Sequence, residues 1–185
     1  MKRFQHPCSR LFSFGSLLGI LMFAAALQAQ TCPSYPIALP AQLLADVPTN
    51  TVITDISNGV SLDTFGWLAW TGDPGQSALE TSLTAPGDSS SYINPDDPSD
   101  NQLDVGDWVT ARSAVSNRSS MRNVLDTLLN VDIVVPVFDD VRGSAYHVAG
   151  FAHIQLLGYR LPSQNKITVL FLGFTDCSGD GGPNV

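Results

Sequence analysis

The sequence predicts a mainly β fold, a β-sandwich or antiparallel sheet, with one amphipathic helix packed on a face. Short alternating or β-branched runs recur between clusters of Gly, Pro, Asn and Asp over most of the chain. Only one segment, Met121 to Leu129, carries a full apolar stripe at helical spacing. A parallel sheet would need a helix at every crossover, and there are too few. The 185 residues, 44% of them hydrophobic, suit one folded domain and exclude disorder throughout.

The chain opens with Lys2, Arg3 and Arg10 and no acid; an apolar run of 17 residues, Leu11 to Leu27, and Gln28-Ala29-Gln30 follow. A basic start, a short apolar stretch and a small residue at the cut predict a signal peptide over residues 1–29. The run falls short of the roughly 20 residues of a spanning helix, so the membrane is a partner only if this segment stays uncleaved. The expected location is periplasmic or secreted. Three of the nine basic residues lie in the leader, leaving 17 acids against 6 bases, a net charge of −11. Such a surface repels phosphate backbones and argues against nucleic acid as a partner.

Cys8 would leave with the predicted leader, and the remaining pair, Cys32 and Cys177, is expected to form a disulfide in an exported protein. Closing so long a loop would contribute roughly 4–5 kcal/mol in the chain-entropy picture.

Residues 30–50 hold Pro33, Pro36, Pro40 and Pro48 and are expected to form an extended arm. A single β-rich domain over 51–177 should follow. Thr51 to Ile56 alternates as a strand and stops at the turn dipeptide Asn58-Gly59; Phe65 to Trp70 is a second strand. Ser77 to Leu83 fits either a short helix or a strand. Residues 85–101 lack periodicity and read as a long loop, pinned through Tyr92 and Ile93. Leu103 to Thr110 reads as a strand with a Gly bend.

In the helix, Met121, Val124, Leu125, Leu128 and Leu129 form the stripe that should cover a sheet, with Arg122, Asp126 and Asn130 opposite. Asn117, Ser119 or Ser120 is the expected N-cap. Val131 to Phe138, Ala145 to Leu161 and Lys166 to Thr175 are three further strands. Pro136 suggests an edge or bulge, Gly150 and Gly158 suggest bends, and a short loop makes the last two strands a hairpin. Residues 178–185 read as a flexible tail.

Few residues suggest chemistry. His147 and His153, six apart, would lie about 20 Å from each other in a regular strand, too far to share a metal, and a bulge at Gly150 would separate their faces. Either could act as a base with Asp139 or Asp140. No GxSxG occurs, and neither mature Cys looks like a nucleophile, so no catalytic residue is assigned and the chain is expected not to be an enzyme. Asp88, Asp96, Asp97, Asp100, Asp104 and Asp107 crowd a stretch without Lys or Arg, and Asp96, Asp97 and Asp100 are the candidate ligands should calcium bind; no other cofactor is expected. The order is not that of an EF-hand loop. Trp67, Trp70, Trp108 and Tyr92 are candidates for a sugar-stacking platform, although Trp67 and Trp70, three apart, should face opposite ways.

Taken together, Gly106-Asp107-Trp108-Val109, the helix at Met121–Leu129, Val134-Val135-Pro136-Val137-Phe138-Asp139, Arg142-Gly143, Tyr146-His147-Val148 and Gly150-Phe151-Ala152 form an ordered pattern. This order resembles the C-terminal extracytoplasmic region of TadG-like proteins of the Flp (Tad) pilus-assembly group, over about seventy residues. It implies a non-catalytic envelope or surface interaction domain linked to pilus assembly, with envelope or surface proteins as partners. The family supplies no catalytic residues, and it usually begins with a membrane anchor where this chain opens with what reads as a cleavable leader. The alternative is a calcium- or glycan-binding adhesive module.

Overall fold

The computed structural model describes residues 33–73, 75–84, 87, 89–112, 115, 117–162 and 164–176; the segment predicted as a leader, the segment predicted as a tail and the predicted partners Cys32 and Cys177 lie outside them. In chain order the elements are β1 (Ile37–Pro40), α1 (Ala41–Leu44), β2 (Thr51–Ser57), β3 (Gly66–Leu68), α2 (Gln76–Ser82), β4 (Trp108–Arg112), α3 (Ser119–Leu128), β5 (Asp132–Arg142), β6 (Ala145–Arg160) and β7 (Lys166–Thr175). The fold is mainly β: one seven-stranded mixed sheet, mostly antiparallel, ordered β2-β7-β6-β4-β3-β1-β5.

A further pairing, β5 with β6, joins the last strand of that order back to the middle. Strands β1, β3, β4, β6 and β5 therefore close into a ring, with β1 and β5 parallel and the other named pairs antiparallel. The 16-residue β6 belongs to two structures at once. Its first residues pair with β4 and β5 inside the ring, and from Phe151 onward it pairs with β7, which carries β2 at the outer edge.

Side chains of directly paired residues share a face. Following the register from Ala38 opposite Gly66 to Leu68 opposite Ala111, then Val109 opposite Tyr146 and Val148 opposite Phe138, places these residues on one side of all five ring strands. The same side chains form one buried cluster with Trp70, Tyr92, Leu103 and Phe151, which fills the ring. Gly66 is required there. A Cβ on it would lie 2.4 Å from the Tyr146 ring, which crosses over the β3 backbone and donates its hydroxyl to the Gly59 carbonyl at 2.5 Å.

The second cluster lies on the other face. Ile133, Val135 and Val137 of β5, Ala152, Ile154 and Leu156 of β6, and Ile167, Val169 and Phe171 of β7 pack under Met121, Leu125 and Leu128 of α3. The helix thus covers a sheet face with the stripe its spacing predicts. Its N-cap is Arg118, with no side-chain cap hydrogen bond, rather than Asn117, Ser119 or Ser120. Asn117 instead accepts from Arg122 at 2.9 Å. Tyr159 of β6 pins the far side by donating to Asp126 at 2.7 Å.

Several segments differ from the sequence reading. The Pro-rich stretch after residue 33 does not lie over the domain: Ile37–Pro40 is entirely buried as β1, and Ala41–Leu44 turns as a helix. Pro36 and Pro40 flank the strand and leave its middle free to pair, which is why proline content alone misread it. Phe65–Trp70 shortens to three strand residues, and the 103–110 segment starts its strand only at Trp108, after Gly106 at φ 102°. Residues 76–82 choose helix. The bends fall near the expected glycines: Gly150 pairs with Val137 and Val148 with Phe138, so Ala149 is an extra residue, and a second irregularity precedes Gly158.

Candidate functional site

The Ala149 bulge decides where the histidines point. His147 lies between Tyr146 and Val148, both inside the ring, and so faces outward; His153 lies between Ala152 and Ile154, both under α3, and so faces the opposite way. The two residues are on different faces of β6. Only His147 meets the predicted carboxylates. Its Nδ1 is 2.6 Å from Asp139 Oδ1, and Asp140 is its strand partner.

Asp139 reaches His147 because β5 is irregular between Phe138 and Asp140, which leaves Asp139 as the extra residue of that strand. On the other side of His147, across the β4–β6 pair, stands Trp108, with ring centroids 5.2 Å apart. The Arg142 guanidinium lies 4.2 Å from the centroid of the Trp108 ring, within cation–π range, and grips Asp96 with one nitrogen at 2.6 and 2.7 Å from its two oxygens. The result is a row, Asp139–His147–Trp108–Arg142–Asp96, presented outward from three rigid ring strands and held at one end by the acidic loop. Its ionic members are about half exposed, so each ion pair contributes roughly 0–1 kcal/mol.

Chemically, a carboxylate against one imidazole nitrogen fixes the ring's orientation, the arrangement of an acid–base pair. Among the described residues no hydroxyl or thiol is hydrogen-bonded to the other ring nitrogen. Trp108 and Arg142 are residue types that anchor protein interfaces, and here each fixes the other's rotamer.

The loop behind the row is built on Asn94 and Tyr92. Asn94, only 8% exposed, donates to Asp100 at 3.1 Å and Asp107 at 3.0 Å, while its own side-chain oxygen accepts from the Asp96 amide. Tyr92 is buried in the ring cluster and donates to the Trp108 carbonyl at 2.9 Å, the anchor expected of this loop; Ile93 is exposed. Burial pushes the Tyr92 hydroxyl well above its usual range, and the surrounding carboxylates add to it. Burial also raises the Asp107 carboxyl, reinforced by Asp100 and Asp104 and opposed by the hydrogen bond from the Asp104 amide. Hydrogen bonds from Ser99 hold Asp97 below the carboxylate range.

The three calcium candidates are turned to separate partners: Asp96 to Arg142, Asp97 to Ser99, and Asp100 to Asn94 and the Gln102 amide. Among the described residues no three His, Cys, Asp or Glu side chains converge as metal ligands. The four-ring platform does not assemble. Trp67, Trp70 and Tyr92 are at most 2% exposed, and the half-buried Trp108 carries Arg142 against its ring. Trp67 instead donates to buried Asn165 at 3.0 Å. Arg142 stood in the sequence only as one piece of the TadG-like pattern, because nothing local reveals that its side chain meets Asp96 forty-six residues away.

No protein-family model matches the chain, and no curated protein or solved structure matches it either. Among the described residues no helix is long and apolar enough to cross a membrane.

Proposed function

We propose that this chain is a non-catalytic, exported interaction domain of the cell envelope, linked to pilus assembly, which holds a partner protein through the Trp108–Arg142 face. The observation that carries this reading is the stacked pair itself. An aromatic ring and a guanidinium, the side chains most enriched at interface hot spots, sit pre-ordered on rigid strands with carboxylates around them. The leader-like N-terminus supports export, and the TadG-like pattern, which includes Trp108, Arg142 and His147, supports the link to pili.

The test places a photo-crosslinking residue at exposed Asp140, beside the row, in producing cells, with a control at exposed Ser61. One discrete adduct with an envelope protein from position 140, absent from position 61 and lost with Trp108→Ala, is the expected result. No adduct, or the same adducts from both positions, would sink the reading. An adduct with a protein unconnected to pili would remove the pilus link alone.

A further inference from the structure

The outward side of the first half of β6 is a small grid of paired positions. Trp108, His147 and Asp140 form one cross-strand row, and Thr110, Ala145 and Arg142 form the next. None of the six is buried, whereas Val109, Tyr146 and Val148, which alternate with them, fill the ring. The buried side chains of α1, α2 and α3 all belong to the other cluster. The grid is thus a sheet face without a covering layer among the described residues.

An irregularity in β5 gives this face a second carboxylate. In a regular strand Asp139 and Asp140 would point to opposite sides. Asp139 is the extra residue of the strand, and both therefore meet His147, Asp139 through the 2.6 Å contact with Nδ1 and Asp140 as the strand partner. A bulge re-aims a side chain in this way at functional positions.

The polar atoms left open on the face are acceptors. An ionised carboxylate can only accept, so His147 Nδ1 carries the proton, and Nε2 of the neutral ring offers a lone pair. One oxygen of Asp140 accepts the Val141 amide at 2.7 Å. Its other oxygen, like the second oxygen of Asp139, has no hydrogen bond among the described residues. Arg142 is already committed to Asp96 and to the Trp108 ring. Asp96, Asp139 and Asp140 against that one guanidinium leave the face two charges negative. An anionic partner would be repelled, and an apolar one would bury the open acceptors unmet.

We infer that the protein partner of this face presents a Lys- or Arg-rich segment, whose N–H groups donate to Asp139, Asp140 and His147 Nε2 beside the Trp108–Arg142 stack. The inference rests on the reading of this face as a protein-binding surface and names the chemistry of what it binds. Opposite charges would steer the encounter and make it sensitive to salt.

The test titrates the full chain with a fluorescein-labelled peptide of alternating arginine and glycine, followed by anisotropy at low and at physiological salt. The same peptide with glutamine for arginine is the control. The arginine peptide should bind, more weakly at the higher salt, and the glutamine peptide should not. Asp139→Asn combined with Asp140→Asn should weaken binding severalfold. Asp55→Asn combined with Asp132→Asn, which removes the same charge from exposed positions on β2 and at the start of β5, should leave it nearly unchanged. In ¹⁵N spectra the Trp108 indole signal should shift on binding while that of Trp67, bonded to Asn165, stays in place. Equal losses from the two double variants, equal binding of the two peptides or an unmoved Trp108 signal would each overturn the inference. An adduct from position 140 whose partner segment is not basic would overturn it and leave the interaction reading intact. Peptide binding at this face without any adduct in cells would sink the interaction reading instead.

Discussion

The two halves of β6 protect the same kind of backbone by different means. In the first half the strand is enclosed: β4 lies on one side, β5 on the other, and the ring closes through β1 and β3 with no edge left. In the second half the sheet stays open. It ends at β2, and α3 covers one face. The open edge is instead interrupted, because β2 is irregular between Ile53 and Ile56, with Asp55 at φ 57°. Such a kink discourages strand addition from another chain. Closure removes the edge problem but demands tight side-chain fit inside; an open sheet tolerates looser fit but depends on its helix.

The largest expected effect separates these halves directly. Phe138→Ala, which empties a fully buried position whose ring centroid lies 4.4 Å from that of Tyr146, should destabilise by about 3–5 kcal/mol. Leu125→Ala under α3 should lose about 2–5 kcal/mol. Urea denaturation measures both, and hydrogen exchange then sharpens the comparison. Leu125→Ala should speed exchange in β7 and the second half of β6 before β3 and β4, whereas Phe138→Ala should speed the ring. Uniform acceleration in both variants would show that the halves open as one unit.

Gly66→Ala adds only a methyl group but drives it into the Tyr146 ring, so a loss of about 1–3 kcal/mol is expected by the same denaturation assay. Gly143→Ala meets no neighbouring atom; its φ of 60° brings a backbone cost alone, about 1 kcal/mol. If Gly66→Ala were the milder of the two, the tight fit assigned to the ring would be wrong.

The acidic loop should answer to pH. Asp107 has a raised folded-state pKa, so the folded protein holds that proton more tightly than the unfolded chain. The stabilising effect is complete below the usual carboxylate range and fades as pH rises through the raised value. Asp97, shifted the other way, adds stability above its unfolded pKa that is lost as pH falls through its depressed value. Denaturation midpoints measured from pH 3 to 7 should therefore fall less on the upper side of this window in Asp107→Asn than in wild type. Equal slopes would contradict the burial assigned to that carboxyl.

The smallest effect belongs to the row. Asp96→Ala breaks an exposed ion pair and should change stability by no more than about 1 kcal/mol. Its consequence should instead be a freed Arg142, seen as a changed Trp108 fluorescence maximum. An unmoved maximum would mean that the stack does not depend on its carboxylate.

The fold class, the helix stripe, the strand at Thr51, the three long strands after the helix and the bulges beside Gly150 and Gly158 were legible in the sequence, because periodicity and glycine act over a few neighbours, whereas the strands at Phe65 and Leu103 were read too long. The sequence also brought Asp139 and His147 under suspicion as a pair. It misplaced the Pro-rich segment, since the burial of β1 depends on β3 and β5, both distant in the chain. Ring closure, the opposite facing of His147 and His153 and the Trp108–Arg142–Asp96 alignment were decided only by tertiary structure. Each depends on one inserted residue or one remote contact, and a single extra residue reverses every side chain that follows it.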